Sequence, residues 1–281
     1  MTLILALGLL LAVPIALPAA AAFRWRSQTA ELVRRLNQPR IPSRPARFTA
    51  AELAGVPPPV AGYLRAVLTE GQPVVRYARL TQHGQFLVRP TPQGWRPFAA
   101  TEYFATNPGG FVWDARIRVA PGFAIHVRDA FVDGVGSMLA SLAALWRMVS
   151  VEGTPGIAAG ALHRYLAEAV WFPTALLPGE GVAWTPIDET SARATLSVAG
   201  TTVSLDFHFG ADGLVSRVFT PARARDVDGR LVSTPWQGRF SQYVQQGPMR
   251  IPLAGEVEWM LPEGPLQYWR GEITGAVYTP E

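Results

Sequence analysis

From Phe111 to Val119 the chain alternates strictly. Phe111, Trp113, Ala115, Ile117 and Val119 fall on one face of an extended segment, and Asp114, Arg116 and Arg118 fall on the other. After a Pro121-Gly122 turn, Ile125, Val127 and Phe131 alternate with His126 and Arg128. The same period of two returns in Val203, Leu205, Phe207 and Phe209, and again in Met249, Ile251, Leu253, Val257 and Trp259. Turn residues at Ala199-Gly200, Asp212-Gly213, Asp228-Gly229 and Gln246-Gly247-Pro248 separate successive runs by hairpin distances. From Val74 onward the pattern predicts a mainly β (α+β) body. Its expected form is a strongly curved antiparallel sheet or half-barrel of about ten to eleven strands.

One helical segment interrupts the alternation. Thr154 suits the N-cap, Pro155 the first helical position, and Pro173 ends the run. At about 100° per residue, Leu162, Tyr165, Leu166, Ala169 and Phe172 form one apolar stripe, with His163 outside it. Such a stripe needs a large apolar surface, and the inside of the curved sheet supplies one, so the helix is predicted to be a lid. Glu168 lies off the stripe, four residues after Arg164. That placement predicts a boundary residue at the lid's rim with an intrahelical ion-pair partner. The functional alternative is a buried carboxylate beside Trp171 with a raised pKa, serving as a general base.

The first 22 residues carry no charged side chain. At about 1.5 Å per residue a helix of that length just crosses the hydrocarbon core, which predicts a membrane anchor over residues 1–22. Ala19 to Ala22 also offer an Ala-x-Ala cleavage site, but the basic residues that normally open a secretory signal are missing. Arg24, Arg26, Arg34, Arg35, Arg40, Arg44 and Arg47 follow, with Glu31 as the one acid among them. By the positive-inside rule they place the following domain on the cytoplasmic side of a bacterial membrane. Cleavage of the segment would instead export it to the periplasm or cell surface. Thr29 to Gln38 reads as a juxtamembrane helix able to meet anionic head groups, or as a solvated spacer. Residues 23–48 form an Arg/Pro-rich linker stiffened by Pro39, Pro42 and Pro45. Residues 49–281 form the β-rich domain. It opens with a capping-box pair, Thr49 and Glu52, on a helix that ends near Pro57-Pro58-Pro59, followed by a short helix over Val60 to Leu68.

Composition excludes several chemistries. A chain of 281 residues buries a sizeable core without cross-links. There is no cysteine, so no thiol nucleophile or thiolate cluster exists, and no lysine, so all 25 basic residues are arginine. Schiff-base chemistry and a Walker phosphate loop both need the missing amine. The net charge of +4 is spread along the chain, which argues against a nucleic-acid partner.

Ser204, Asp206 and His208 are the residue types of a nucleophilic triad. On a strand, however, they stand on one face roughly 6.5 to 7 Å apart with parallel side chains, so they read as a solvated face. Arg116, Arg118 and Arg128 gather beside Asp114 and His126 if the Pro121-Gly122 turn makes a hairpin. They are candidate anion contacts, or simply a charged outer face. The histidines at 83, 126, 163 and 208 show no metal-ligand spacing. Gly134-Val135-Gly136-Ser137 fits neither a nucleophile elbow nor a dinucleotide fingerprint and reads as a turn or bulge. No metal and no cofactor is expected.

The stretches "ATEYFATNPGGFVWDARIRVAPG", "RYLAEAVWFPTALLP", "GTTVSLDFHF", "TPWQGRFSQY" and "MRIPLAGEVEW...YWRG" resemble a bacterial family of unknown function whose members often follow an N-terminal membrane segment. The resemblance covers roughly residues 50 to 279 and implies no catalytic residues. The architecture is also similar to the half-barrel of bacterial lipoprotein carriers, which hold acyl chains between a concave sheet and a helical lid.

These readings converge on a membrane-anchored module that binds a lipid, an acyl chain or another lipophilic small molecule between sheet and lid. Trp113, Tyr165, Leu166, Ala169, Phe172 and Trp259 are the expected wall, and an arginine is the expected head-group contact. Two alternatives stay open: a hydrolase with Glu168 or a strand carboxylate as general base, and an assembly partner of another membrane protein.

Overall fold

The computed structural model describes residues 2–38 and 47–280, with side chains from residue 17 onward. The body is built from two meanders. The first contains β1 (Tyr77–Leu87), β2 (Trp95–Thr106), β3 (Gly109–Ala120), β4 (Phe123–Val132), β5 (Val135–Leu142) and β6 (Trp146–Glu152). The second contains β7 (Val182–Asp188), β8 (Ser191–Val198), β9 (Thr201–Phe209), β10 (Val215–Val227), β11 (Arg230–Gln246), β12 (Met249–Leu261) and β13 (Gly264–Thr279). Pairing of β1 with β13 joins them into one antiparallel sheet in the order β6-β5-β4-β3-β2-β1-β13-β12-β11-β10-β9-β8-β7. The sheet is open, with β6 and β7 at its edges.

The described residues thus hold thirteen strands, more than the ten to eleven expected. The surplus comes from segments that lack the half-buried alternation on which strand recognition depends. All but Val151 of β6 are exposed, and β7 carries Pro186 and is mostly exposed. The β4–β5 connection is a two-residue turn in which Asp133 (φ 60°) and Gly134 (φ 80°) both adopt the left-handed conformation, so the 134–137 segment is a turn as expected.

Between the meanders runs α3 (Pro155–Glu168). Thr154 Oγ1 accepts the Ile157 N–H at 3.3 Å, Pro155 opens the first turn, and a 3-10 turn over Ala169–Trp171 carries the chain to Pro173. The helix packs against β5 on one side and against β9 and β10 on the other. Eight strands lie between β5 and β9 in the sheet order, on the order of 40 Å if laid flat. Because one helix touches both, the sheet must wrap around it, which gives the curvature that the hairpin pattern implied. At Gly136 a Cβ would come within 2.7 Å of the Ala158 backbone, so glycine permits the close approach of α3 to β5.

The expected helix over Thr29 to Gln38 is the end of a longer one, α1 (Thr2–Leu36). Its described side chains dock on the outer face of β3 and β4, where Trp25 Nε1 and Thr29 Oγ1 donate to Asp114 at 3.0 and 2.7 Å. Among the described residues, no helix is long and apolar enough to cross a membrane. The span expected over residues 1–22 falls, for residues 1–16, outside the described side chains. Pro39, Pro42 and Pro45 of the expected stiff linker also lie outside the described residues. Thr49 N–H donates to Glu52 Oε1 at 2.9 Å, but the turn it caps is a single 3-10 segment, Ala50–Leu53, followed by α2 (Pro58–Val67).

Candidate functional site

Enclosed between the wrapped sheet and α3 is a cavity of about 590 Å³. One wall is aliphatic, with Ile117, Ile125, Val127 and Ala140 from β3 to β5. The opposite wall is aromatic, with Trp236, Trp259, Tyr268 and Trp269 from β11 to β13, and Phe86 and Trp113 close the end between them. The helix contributes Ile157, Gly160, Ala161, Arg164, Ala167 and Glu168, and the following turn contributes Trp171. Met138, Met148, Val149 and Leu231 are the strongly exposed apolar members of the lining, so the mouth lies between the β5–β6 edge and the β10–β11 hairpin.

The face of α3 that looks into this space differs from the one the apolar stripe indicated. Leu162, Tyr165, Leu166, Ala169 and Phe172 are buried in solid core, with Tyr165 and Phe172 packed on Phe104, and none of them lines the cavity. The reason is that α3 is embedded on both sides. Its bulky stripe fills the core, while the side carrying small residues leaves the open volume. His163, outside the stripe, is buried as well, and its burial and the nearby Arg223 guanidinium push its pKa down to about 4. Of the expected wall residues, Trp113 and Trp259 do lie on the cavity.

One polar cluster borders the cavity floor. Inward positions of consecutive strands carry Gln82 on β1, Glu102 on β2, Trp113 on β3 and Asp129 on β4, and cross-strand register sets Glu102 beside Trp113 and Trp113 beside Asp129. Arg164 reaches from α3 to meet them. Its Nη2 donates to Glu102 Oε1 at 2.7 Å, its Nη1 to Asp129 Oδ2 at 3.0 Å and its Nε to Glu168 Oε1 at 2.7 Å. The guanidinium also stacks over Trp113 at 4.8 Å. Gln82 links the ends of the network, donating to Glu102 Oε2 at 2.7 Å and accepting from Trp113 Nε1 at 2.9 Å.

Three carboxyls around one guanidinium leave excess negative charge in a buried place. Burial pushes both Glu102 and Glu168 upward, against the pull of Arg164. Each carboxyl's negative charge also opposes ionisation of its neighbours, Glu168 raising Glu102 and Asp129 raising Glu168. Glu168 therefore has the intrahelical partner its spacing predicted, yet it is a largely buried member of a network that also holds Gln82, Glu102, Trp113, Asp129 and Arg164. Its Oε2 and the Nε1 of the neighbouring Trp171 find no conventional partner among the described residues.

A second arginine borders the cavity on the opposite side. Arg223 of β10 lies over the rings of Trp236 and Trp259, at 4.8 and 5.3 Å. Its Nη1 donates to Tyr268 Oη at 3.1 Å, and its Nε and Nη2 donate to the Gly160 carbonyl at 3.3 and 3.0 Å. Tyr268 Oη also accepts from Trp236 Nε1 at 2.9 Å, which fixes the whole array.

The expected anion contacts lie elsewhere. Arg116, Arg118 and Arg128 are on the outer face of the sheet, away from the cavity lining. Arg128 is buried beneath α1, donating to the Trp25 carbonyl at 3.1 Å and Thr29 Oγ1 at 2.9 Å, so it serves docking of that helix. Ser204, Asp206 and His208 each bond across the sheet, to Thr195, Arg193 and Arg217 respectively, and do not converge. Among the described residues no cluster has the composition of a metal site.

With this geometry in view, residues 46–271 match the model of a family described as a family of unknown function, DUF6544. The chain belongs to DUF6544. No curated protein matches it in sequence. Among solved structures, this DUF6544 member is similar to the LolA superfamily protein NE2245 from Nitrosomonas europaea. The identity is 10%, the TM-score 0.38, and the likeness covers 72% of this chain and 85% of that one.

Proposed function

We propose that this protein is a binding module for a lipophilic ligand, a lipid or single acyl chain, held in the cavity between the wrapped sheet and α3. The observation that carries the reading is the cavity itself. At about 590 Å³ it falls within the size range of small-molecule sites, and its walls are mostly aliphatic and aromatic, with charged side chains at Asp129, Arg164, Glu168, Arg223, Arg225, Asp226 and Glu256. A solid core of this size would normally leave no such volume, because interiors are close-packed. Each methylene moved from water into the cavity contributes about 0.8 kcal/mol, so a chain of modest length is enough to offset the cost of association.

The uncharged N-terminal segment fits a membrane anchor, and in this reading the ligand is drawn from the bilayer that holds it. Residues 21–36 of α1 support the arrangement. Ala21 and Trp25 pack on Ala144 at the β5–β6 hairpin, so the helix docks near the same edge of the sheet whose strands border the cavity. A hydrolase using Glu168 would need water at that carboxyl, whereas Glu168 is ion-paired with Arg164 and its other oxygen is buried.

Tryptophan quenching tests the proposal. Trp113, Trp171, Trp236, Trp259 and Trp269 border the cavity, so a neutral brominated acyl chain, methyl 9,10-dibromostearate, should quench the full-length protein saturably. The cavity-filling variant Ala140→Phe should abolish that quenching while leaving the fold intact. Absence of saturable quenching in the wild-type protein would reject the reading.

A further inference from the structure

We infer that Arg223 is the head-group anchor of the cavity, and that the ligand is an amphiphile ending in an anionic group, a carboxylate or a phosphate. The inference rests on the proposed binding of a lipophilic ligand and specifies its class.

The argument starts from charge balance around the two cavity arginines. Arg164 faces three carboxyls, so its charge is already countered and a ligand anion would meet their negative charge. Arg223 is different. Its partners are a phenol and a backbone carbonyl, both neutral, and among the described residues no carboxylate lies within ion-pair distance of it. A half-buried guanidinium between indole rings without a counter-charge is costly, because burial strips its water and nothing of opposite sign replaces it. The recorded bonds use three of the five N–H donors a guanidinium carries, so donors remain for an incoming anion.

Surroundings reinforce the assignment. Arg225, two residues along β10, lies on the same face of the strand and also lines the cavity. The acidic residue next to them, Asp226, accepts the Gly229 N–H at 2.9 Å in the hairpin turn. His163, whose pKa the Arg223 guanidinium helps to lower, is buried and held neutral, so it adds no competing charge. Arg223 is positioned by Gly160 on the lid, Tyr268 on β13 and the Trp236 and Trp259 rings. Such a rigid fork is pre-organised for a planar carboxylate or a phosphate oxygen pair. The head of the ligand then stays at Arg223, on the opposite side of the cavity from the carboxyl cluster that would repel it, and its chain runs across the aromatic wall toward Ile117 and Val127.

A matched pair of probes tests this on the full-length protein in amphipol: 9,10-dibromostearate and its methyl ester, at a pH where the acid is ionised. The two share one chain and differ in head-group charge. The wild-type protein should bind the anion at least tenfold tighter than the ester. Arg223→Gln should bring the ratio to about one with ester affinity unchanged, and Arg223→Lys should keep a several-fold preference. Excess inorganic phosphate should not displace the acid, since the chain supplies most of the binding. Equal affinity of the two probes for the wild-type protein, a ratio that survives in Arg223→Gln, or displacement by phosphate would each overturn the inference. If neither probe quenches, the lipophilic-ligand reading itself fails, a distinguishable result.

Discussion

Arg164 Nη2 lies 2.7 Å from Glu102 Oε1, so a helix residue beside the cavity is ion-paired with a fully buried carboxyl on β2. This contact fastens α3 to the sheet through charge at a point otherwise lined by apolar and aromatic side chains. It also explains why a glutamate sits among Phe98, Ala100 and Phe104 on the inward face of that strand.

Removing the guanidinium should therefore be expensive. Arg164→Leu strands Glu102, Asp129 and Glu168 together, and loss of one member of a buried ion-pair network costs about 3 to 5 kcal/mol. Urea denaturation should show this as a lowered midpoint with an unchanged slope.

Glu168→Gln should behave differently, because its pKa and that of Glu102 are raised in the folded state. A carboxyl with a raised folded pKa contributes its full stability below the unfolded value and loses it as pH rises through the folded value. Measured against the wild-type protein, Glu168→Gln should gain relative stability as pH increases above the ordinary glutamate value of 4.5. A difference that stays flat with pH would contradict the upward shift that burial imposes on Glu168.

His163 gives the opposite slope. Its folded pKa of about 4 lies below the ordinary 6.5, so the fold binds fewer protons than the unfolded chain and stability is lost as pH falls through that window. The loss should reach about 3 kcal/mol and should be absent in His163→Leu. Thermal melts between pH 7 and pH 4 on both proteins would measure it.

The two faces of α3 should separate stability from binding. Leu166 is fully buried on the packed face, and Leu166→Ala should cost about 2 to 5 kcal/mol while leaving chain-length preference unchanged. Ala161 borders the cavity, and Ala161→Leu should instead weaken acyl-chain binding with little loss of stability. Chemical denaturation and probe titration of the two variants would read both effects.

Affinity should also rise with chain length and then stop. At about 0.8 kcal/mol per methylene, two added carbons should tighten Kd by roughly tenfold or more until the cavity is full. A titration series of saturated chains should show this break.

Much of the sheet is legible in the sequence because Phe111 to Val119 and Val203 to Phe209 alternate cleanly, and the lid is legible because Thr154, Pro155 and Pro173 punctuate it. The site is less so. An apolar stripe marks the side of a helix that packs on something, but α3 is embedded on both sides, and Gly160, Ala161 and Ala167 carry too little hydrophobic signal to mark a cavity. Glu102 and Asp129 were detectable in principle, since each breaks an otherwise apolar period of two on an inward face. Arg223 was not, because nothing local tells that Arg-Ala-Arg on β10 faces indole rings contributed from β11 and β12. The outer patch of Arg116, Arg118 and Arg128 stands out in the sequence by density of charge, whereas Arg223 is distinguished by the lack of a counter-charge, which only the fold shows.

The most direct test of the central claim is native mass spectrometry of the full-length protein isolated from its own cells without added lipid. The account predicts a bound species with the mass of one acyl-chain amphiphile, lost in Ala140→Phe. A wild-type protein that carries no such species, and that takes up none when incubated with membrane lipid extract, would contradict it.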